Sequence, residues 1–287
     1  KLHSLDGVPL TLPLQSPFEG EHLDLAHEQL DPGYVLLLSW WLGTEFSAAV
    51  ARLTLSGNLT NNGKDLTGLK ALCEALLGLK NPISLDLANC HFKVAEVNEL
   101  AQAIDAGTAV TSINCLANKF GEEDLATLLT AIEGTSVRSL CGLTEGQTVA
   151  DFSGQNLGPI DMKIMAAEYG FQGFIATVMT VAIGANPIGS EGGATLLETI
   201  KTSKLKTIDI GKPLPLQEPY ESDTLDLSIT KMDPGHVLLL SWWLTTEFSA
   251  AIDEVNVSIN PIGVDGAKAL GAILPNLSLI HISEPTR

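Results

Sequence analysis

The stretch VAIGANPIGSEGGATLLETI, residues 181–200, contains the pattern that decides the fold. Val181 and Ile183 alternate with smaller residues, which is typical of a strand with one buried face. Asn186 follows the strand, and the letters after it form a helix-like segment with apolar residues at helical spacing. The stretch therefore predicts a strand, a turn at Asn186 and a helix.

The same strand pattern recurs along the chain. It starts at residues 23, 53, 85, 113, 150, 181, 225 and 255, and most of these starts are 28–32 residues apart. Residues 23–50 match 225–252 at 20 of 28 positions, and a weaker third copy begins at Ala150. Self-similarity at such a period is typical of a repeat protein, in which stacked units bury a core that one unit cannot bury alone.

An LxLxxN pattern followed by a full helix, at a period near 28, resembles the ribonuclease-inhibitor-like class of leucine-rich repeats. The segments NPIGSEGGATLLETI (186–200) and NPIGVDGAKALGAIL (260–274) are especially similar to that class. The resemblance covers about residues 5–276. It implies an α/β fold, a leucine-rich-repeat solenoid or horseshoe with a parallel sheet on its concave face and helices on its convex face.

Domain organisation follows from the extent of the repeats. We expect residues 1–276 to form one leucine-rich-repeat domain, truncated at both ends. Segments rich in proline and glycine at 5–22, 140–148 and 208–223 replace a helix by a short extended connection. The tail LSLIHISEPTR, residues 277–287, resembles the in-frame translation of a sequencing adapter and is expected to be non-native.

A polar or small residue ends each strand and turns the chain. In leucine-rich repeats of this pattern, such a side chain can bond the backbone of the neighbouring turn and form a buried ladder. The predicted ladder positions are Asn58, Cys90, Asn118, Gln155, Asn186, Thr230 and Asn260. Glu28 stands at the equivalent place in the first repeat and departs from the pattern.

The middle residue of each strand should face away from the core, onto the concave surface. This column consists of Asp24, Thr54, Asp86, Asn114, Asp151, Ala182, Asp209, Asp226 and Asn256. One interpretation is a shallow acidic ribbon that binds a basic partner segment. The other is a solvated face whose aspartates belong to the repeat consensus, because two such carboxylates repel by only ~1 kcal/mol in water. Asp209 and Asp226 are predicted to be direct neighbours.

Charge and composition narrow the partner class. The chain has 34 acidic and 16 basic residues and a formal charge of −18, which repels nucleic acid and anionic lipid and favours basic partners. Aromatic residues make up only 5%, which argues against a stacking platform for single strands. We therefore expect a protein partner, with a basic one favoured, no nucleic acid and no membrane, and a cytoplasmic location. The oligomeric state stays open.

Motifs of enzymes are missing from the sequence: GxSxG, HExxH, GxxxxGK[ST] and a strand-linked GxGxxG do not occur. Cys73, Cys90, Cys115 and Cys141 form no CxxC pair and are expected to be buried free thiols. We expect no catalysis, no cofactor and no metal. The resemblance implies a non-enzymatic scaffold that binds a protein on the concave face. A GTPase-activating type of regulator and the recognition portion of a larger receptor or signalling protein are the alternatives.

The sequence VLLLSWWL occurs at 35–42 and again at 237–244. Asp31-Pro32 and Asp233-Pro234 predict an N-cap followed by a first-turn proline. One helical face should then contain Val35, Leu38, Leu42, Phe46 and Ala49. Trp40 and Trp41 lie about 100° apart on a helix, so at most one joins the centre of that face. Packing between repeats and a hydrophobic docking patch are both open interpretations, whereas a membrane span needs ~20 apolar residues.

Overall fold

The computed structural model describes residues 4–7, 10–58, 65–276 and 281–283, with side chains from 11 to 58 and from 65 to 275. Within these ranges the protein is mixed α/β, with parallel strands and eight α-helices. The chain divides into two compact units, Lys1–Thr144 and Glu145–Arg287, which are described separately. Of the suspected adapter tail, 277–280 and 284–287 lie outside the described residues.

The first unit begins with a hairpin and continues with strand–turn–helix repeats. Its elements are β1 (Ser4–Gly7), β2 (Leu10–Pro13), β3 (His22–Asp24), α1 (Pro32–Leu42), β4 (Arg52–Thr54), α2 (Thr67–Gly78), β5 (Ile83–Asp86), α3 (Val94–Asp105), β6 (Val110–Asn114) and α4 (Glu122–Ile132). Strands β3, β4, β5 and β6 form one parallel sheet in sequence order. Leu23, Leu53, Leu85 and Ile113 are in register and buried, so the strand faces they occupy form the core.

The second unit has the same kind of repeat. Its elements are β7 (Val149–Asp151), α5 (Pro159–Gly170), β8 (Thr180–Ala182), α6 (Gly189–Thr202), β9 (Thr207–Asp209), β10 (Pro213–Pro215), β11 (Thr224–Asp226), α7 (Pro234–Trp243), β12 (Glu254–Asn256), α8 (Gly263–Ile273) and β13 (His281–Ser283). Strands β7, β8 and β9 are parallel, and β10 pairs antiparallel with β9. Strands β11, β12 and β13 form a second parallel sheet, so part of the suspected tail pairs with β12.

Two of the three proline-rich segments adopt the same structure. Strand β2 pairs antiparallel with β1, as β10 does with β9. Between β9 and β11 all residues are described, and they contain β10 but no helix. Proline fixes φ and removes a backbone donor, which suits an edge strand rather than a helix. The prediction that an extended connection replaces a helix here is confirmed.

The strand turns fall into two alternating types. In every turn, the residue before the ladder position has a positive φ: His27, Gly57, Asn89, Ala117, Gly154, Ala185, Ile229 and Ile259. Where the ladder position is Glu28, Cys90, Gln155 or Thr230, the next residue also has a positive φ: Gln29, His91, Asn156 and Lys231. Where it is asparagine, the next described residue does not. We call these the open turn and the asparagine turn.

Each asparagine turn is bonded to the open turn before it. Asn58 donates to the carbonyl of Leu25 and accepts from the N–H of Leu30, at 2.6 and 3.0 Å, and it also donates to Leu55 in its own turn. The other asparagine positions repeat this pattern, with partners Leu87 and Phe92 for Asn118, Phe152 and Leu157 for Asn186, and Leu227 and Met232 for Asn260. Two consecutive repeats are therefore joined as a pair by one amide side chain.

The open turns make fewer bonds to their predecessors. The Cys90 thiol donates to the carbonyl of Leu55, 3.3 Å away in the preceding repeat. Gln155 is exposed and bonds the carbonyl of Asp151 in its own turn. Thr230 donates to Leu227, also in its own turn. The Cys90 thiol fits this position because it is small, and its hydrogen bonds to the Leu55 and Ala88 carbonyls are weak.

The four cysteines are buried thiols, as the sequence predicts. Burial is the main reason that the pKa of the Cys73 thiol rises to about 12, and the charges of Glu99 and Glu74 raise it further. Burial also raises the pKa of Cys90 to about 12, although N–H groups of the neighbouring turn oppose the shift. Because the thiolate is the reactive form, both thiols are unreactive at neutral pH.

Candidate protein-binding face

The predicted face residues lie in register on the side of each sheet that points away from the core. In the first unit, Asp24, Thr54, Asp86 and Asn114 are adjacent across four strands. In the second unit, the equivalent rows are Asp151, Ala182 and Asp209 on β7 to β9, and Asp226 and Asn256 on β11 and β12. We call these rows the strand face.

The acidic and amide members of the strand face all perform one structural task. The Asp86 carboxylate accepts a hydrogen bond from the N–H of Ala88, two residues further on, at 3.0 Å. The same bond is made by Asp24, Asn114, Asp151, Asp209, Asp226 and Asn256, at 2.7–3.2 Å. Such a bond closes an Asx-turn at the end of the strand. The turn geometry therefore accounts for aspartate or asparagine at these positions without any partner.

Asp226 illustrates the electrostatics of this arrangement. Its pKa is lowered mainly by a hydrogen bond from the Ser228 hydroxyl and, to a smaller extent, by one from the Ser228 N–H. Desolvation opposes this shift, and the positive charge of Lys212 adds slightly to it. The carboxylate is exposed and therefore remains ionised at neutral pH. The strand face thus carries negative charge that water already solvates.

The predicted contact between Asp209 and Asp226 is wrong. Asp209 ends β9, whose edge away from β8 is paired with β10, and Asp226 ends β11 in another sheet. The antiparallel connection occupies the position that a direct neighbour would need. Asp209 and Asp226 therefore lie in different sheets and not on adjacent paired strands.

Basic residues lie in a row next to the acidic row of the first unit. His22 and Arg52 are in register with each other, two residues before Asp24 and Thr54 and so on the same face, and both are exposed. The His22 Nε2 atom lies 2.8 Å from the Thr54 hydroxyl, and Thr54 is buried rather than exposed. The sequence interpretation did not single out these residues, although HLD at 22–24 and RLT at 52–54 show them.

Two isoleucines in the second unit are exposed in an unfavourable backbone conformation. Ile229 and Ile259 have φ values of 60° and 58° and are 68% and 63% exposed. They follow β11 and β12, which are adjacent in one sheet, and the N–H of Ile229 bonds the carbonyl of Ser258. A β-branched side chain rarely adopts a left-handed backbone, which costs about 1–2 kcal/mol. Neither side chain offsets this cost by burial.

The sequence reasoning did not single out these isoleucines. The signal is present in LDLSIT (225–230) and VNVSIN (255–260), where isoleucine stands at the position that other turns fill with Gly, Ala, Asn or His. Strained and exposed residues concentrate at functional sites because folding alone does not favour them. Ile229 and Ile259, which lie in the turns three residues after Asp226 and Asn256, are therefore the strongest candidate feature next to the strand face.

The two adjacent tryptophans of α1 differ in burial. Trp41 is fully buried, its Nε1 donates to the Pro13 carbonyl at 2.8 Å, and Phe18 packs edge-on against its ring. Trp40 is 56% exposed. The packing interpretation is confirmed for Trp41, and Trp40 remains available on the surface.

The predicted length of the tryptophan helix is wrong. Helix α1 ends at Leu42, so Phe46 lies in a separate 3-10 turn and Ala49 is exposed beyond it. The Ser47 hydroxyl donates to the Leu42 carbonyl at 2.7 Å, which satisfies an acceptor at the helix end. The predicted N-cap is confirmed, because Asp31 accepts from the N–H of Tyr34.

Other site types are not apparent among the described residues. Within them, no group of three or more His, Cys, Asp or Glu side chains is placed to bind a metal ion. Their helices are also too short or too polar to cross a bilayer. The second unit has an open depression of about 420 Å³ between α5 and α6, where the one carboxylate, Glu198, forms an ion pair with Lys201.

Comparison with solved structures gives matches to a number of chains, one of which is a leucine-rich repeat-containing protein. The leucine-rich repeat-containing protein LegL7 from Legionella pneumophila is similar to this chain, with a TM-score of 0.43 and 17% sequence identity. The match covers 94% of this chain and 85% of that protein. No protein-family model matches the sequence, and no curated protein matches it.

Proposed function

We propose that the chain is a non-enzymatic protein-binding scaffold, a leucine-rich-repeat solenoid of the ribonuclease-inhibitor-like class that contacts its partner through the strand face. The repeat of strand, asparagine-bonded turn and helix supports the fold assignment. In this fold the strand face is the concave surface and the helices form the convex surface.

The pair Ile229 and Ile259 carries the functional proposal. Their left-handed backbone is unfavourable and their side chains are exposed, so they lower the stability of the free chain. A partner that covers both side chains would remove their apolar surface from water, and the resulting binding energy would offset their cost to stability. Interfaces commonly combine such an apolar centre with a polar rim, which Asp226, Asn256 and Ser228 provide here.

Charge supports a partner with basic groups around an apolar contact. Asp24, Asp86, Asp151, Asp209 and Asp226 give the strand face five carboxylates, and the whole chain has a formal charge of −18. Charges at the rim of an interface chiefly increase the association rate and the specificity. The acidic row should therefore govern the salt dependence of binding, and the isoleucines should govern the affinity.

The decisive experiment compares three variants of the full chain in affinity capture from cell extract. Ile229→Asn/Ile259→Asn replaces the apolar groups by a residue that tolerates a positive φ, so folding should be retained while capture is lost. Asp86→Lys/Asp151→Lys/Asp226→Lys reverses the acidic row. Asp105→Lys/Glu198→Lys/Asp265→Lys makes the same change of charge on exposed helix positions and serves as the control.

We expect the same captured protein for the wild type and the helix control, and its loss from both strand-face variants. Circular dichroism should show that all variants are folded. Capture that survives both strand-face changes contradicts the proposal. Stimulation of GTP hydrolysis by the wild-type chain, assayed with the captured protein, would instead favour the regulator of a GTPase.

A further inference from the structure

A groove opens on the strand face of the second unit, at the place where the parallel strands are interrupted. Strand β10 pairs antiparallel with β9, and β11 begins a separate sheet. The groove at this break has a volume of about 390 Å³, and its walls include Pro213, Pro215, Glu218, Pro219, Tyr220 and Glu221. Described repeats lie on both sides of it in the chain, so the groove is not at an end of the unit.

Strand pairing places the proline wall of the groove on the strand face. Pro213 is in register with Asp209, and Pro215 is in register with Thr207. Residues paired in this way point to the same face of a sheet, so both prolines lie on the strand face. Leu214 between them points the opposite way and is fully buried. Proline side chains lose almost no conformational entropy when they are covered, so this apolar wall is well suited to a contact.

Tyr220 provides the aromatic wall. Its ring packs edge-on with Trp243, with ring centroids 5.7 Å apart, and its N–H donates to the Phe248 carbonyl at 2.8 Å. The side chain is half-buried, and its hydroxyl has no hydrogen-bond partner among the described residues. Trp243 can cover at most one face of the tyrosine ring. The ring is therefore fixed by its packing while its other face can receive a ligand.

The internal duplication shows which groups of the groove the fold does not require. The segment PLQEPYE, residues 215–221, repeats PLQSPFE of the first unit. Tyr220 stands in place of Phe18, and both rings pack edge-on with a buried tryptophan. Glu218 stands in place of Ser16. This packing therefore needs an aromatic ring, whereas the Glu218 carboxylate is an addition of the second copy.

The groove carries uncompensated negative charge. Glu218 and Glu221 are both exposed, and neither forms an ion pair with any residue that the structure describes. Asp209, in register with the proline wall, adds a third carboxylate nearby. The charge of Lys212 acts on Asp226. An occupant of this groove should therefore combine a positive charge with apolar surface.

We propose that this groove, here called the Tyr220 groove, binds an arginine side chain of the partner protein. The proposal rests on the proposed function, because the groove opens on the strand face, and it specifies the chemistry of one contact there. A guanidinium group is planar and always charged, so it lies over the open face of Tyr220 while Glu218 and Glu221 compensate its charge. The aliphatic part of the arginine side chain covers the proline wall. A lysine ammonium group is compact and strongly hydrated, and it matches this arrangement less well.

The probe is a peptide with blocked ends that has two glycines on each side of one arginine, titrated onto the full chain. The chain has three tyrosines, so isotope-labelled tyrosine rings can be followed individually by nuclear magnetic resonance. We expect a saturable shift of the Tyr220 signal, with a dissociation constant on the order of 1 mM, and no shift of Tyr34 or Tyr169. The lysine peptide should bind about threefold more weakly or less. The citrulline peptide, which has nearly the same shape without the charge, should give no saturable shift.

Variants of the two glutamates test the charge of the groove. Glu218→Gln/Glu221→Gln should weaken binding of the arginine peptide about tenfold, because the guanidinium loses its charged acceptors. Glu45→Gln/Glu133→Gln removes the same charge from exposed positions of the first unit and is the matched control, with binding unchanged. In affinity capture, Glu218→Gln/Glu221→Gln should release the captured protein at a lower salt concentration than the wild type does.

Equal affinity for the arginine and citrulline peptides overturns the proposal, and so does equal affinity of wild type and Glu218→Gln/Glu221→Gln. A shift of Tyr169 in place of Tyr220 would also overturn it. Tighter binding of free arginine than of the blocked peptide would assign the groove to a small molecule and contradict a protein ligand. The titration needs no natural partner, so its failure leaves the capture experiment on the strand face unaffected. Failed capture with normal peptide binding would contradict the strand-face proposal alone.

Discussion

Helices α1 and α7 share the letters VLLLSWWL but meet different surroundings. Val35, Leu38 and Trp41 are fully buried, and so are their counterparts in α7. Leu37 is 41% exposed, whereas the equivalent Leu239 is 1% exposed, on a helix whose Gly235 meets the backbone of α6. The burial of the helix face that packs on its own repeat is therefore the same in both copies, whereas the burial of the opposite face depends on the neighbouring repeat. Four predictions test this division.

The largest effect is expected at the shared, buried half. Trp41→Ala and Trp243→Ala should each destabilise their unit by about 3–5 kcal/mol, because a fully buried ring is removed and a backbone carbonyl loses its donor. Urea unfolding followed by circular dichroism measures both. A cost at one site below half of that at the other would show that the two copies do not share this packing.

Smaller changes in the free energy of unfolding are expected at the two equivalent glycines, with opposite signs at Gly235 and Gly33. Gly235→Ala should destabilise the second unit by about 1–3 kcal/mol, because the added methyl group overlaps the backbone of α6. Gly33→Ala should instead stabilise the first unit by about 0.5–1 kcal/mol, since alanine favours a helix and meets no neighbouring element. Thermal unfolding of both variants checks the signs. Destabilisation by Gly33→Ala would contradict the exposed position of α1.

The N-cap aspartates should differ in their dependence on pH. Burial opposes ionisation of Asp233, but hydrogen bonds from His236 and the Gly189 N–H hold its pKa below the ordinary value. The folded state then binds fewer protons than the unfolded state, so this stabilisation is present above the unfolded pKa of about 3.9 and is lost as the pH falls through the lower folded value.

Asp233→Asn should therefore cost about 1 kcal/mol at neutral pH, and the cost should vanish in acid. Asp31→Asn is the control, because Asp31 is exposed and, among the described contacts, its side chain accepts only from the N–H of Tyr34. Urea unfolding at a series of pH values measures both differences. A difference for Asp233→Asn that persists unchanged below the folded pKa would argue against the charged N-cap.

The smallest effect is expected at the exposed tryptophan. Trp40→Ala should change the unfolding free energy by less than about 0.5 kcal/mol, because the ring is 56% exposed. Tryptophan emission should lose its most red-shifted component. A loss of stability comparable to that of Trp41→Ala would show that a neighbour covers the ring in solution.

Local patterns predicted the parts of the structure that depend on a few consecutive residues. The strand starts, the Asp31 and Asp233 N-caps and the buried cysteines follow from spacing and residue type. The end of α1 did not, because Phe46 and Ala49 continue the apolar spacing while Gly43 and the Ser47 hydroxyl end the helix. Periodicity shows which face is apolar and is a poor guide to where the helix stops.

The strand face required knowledge of pairing. The column of aspartates was readable from the sequence, but their Asx-turn bonds and the separation of Asp209 from Asp226 depend on the backbone and on strand order. The exposure of Ile229 and Ile259 depends on a left-handed turn. Isoleucine is unfavourable in that conformation, so the sequence does not predict the turn at these positions. The aspartate and asparagine positions of the strand face were predicted from the sequence, whereas their hydrogen bonds and the exposed isoleucines required the structure.

The alternation of open and asparagine turns restricts how such a chain can change in length. Asn58, Asn118, Asn186 and Asn260 each bond a carbonyl in their own turn and, in the open turn before it, one carbonyl and one N–H. Duplication or loss of a single repeat would place two asparagine turns, or two open turns, in succession and leave one set of buried partners unmatched. Genetic rearrangements that keep the protein folded should therefore add or remove repeats two at a time.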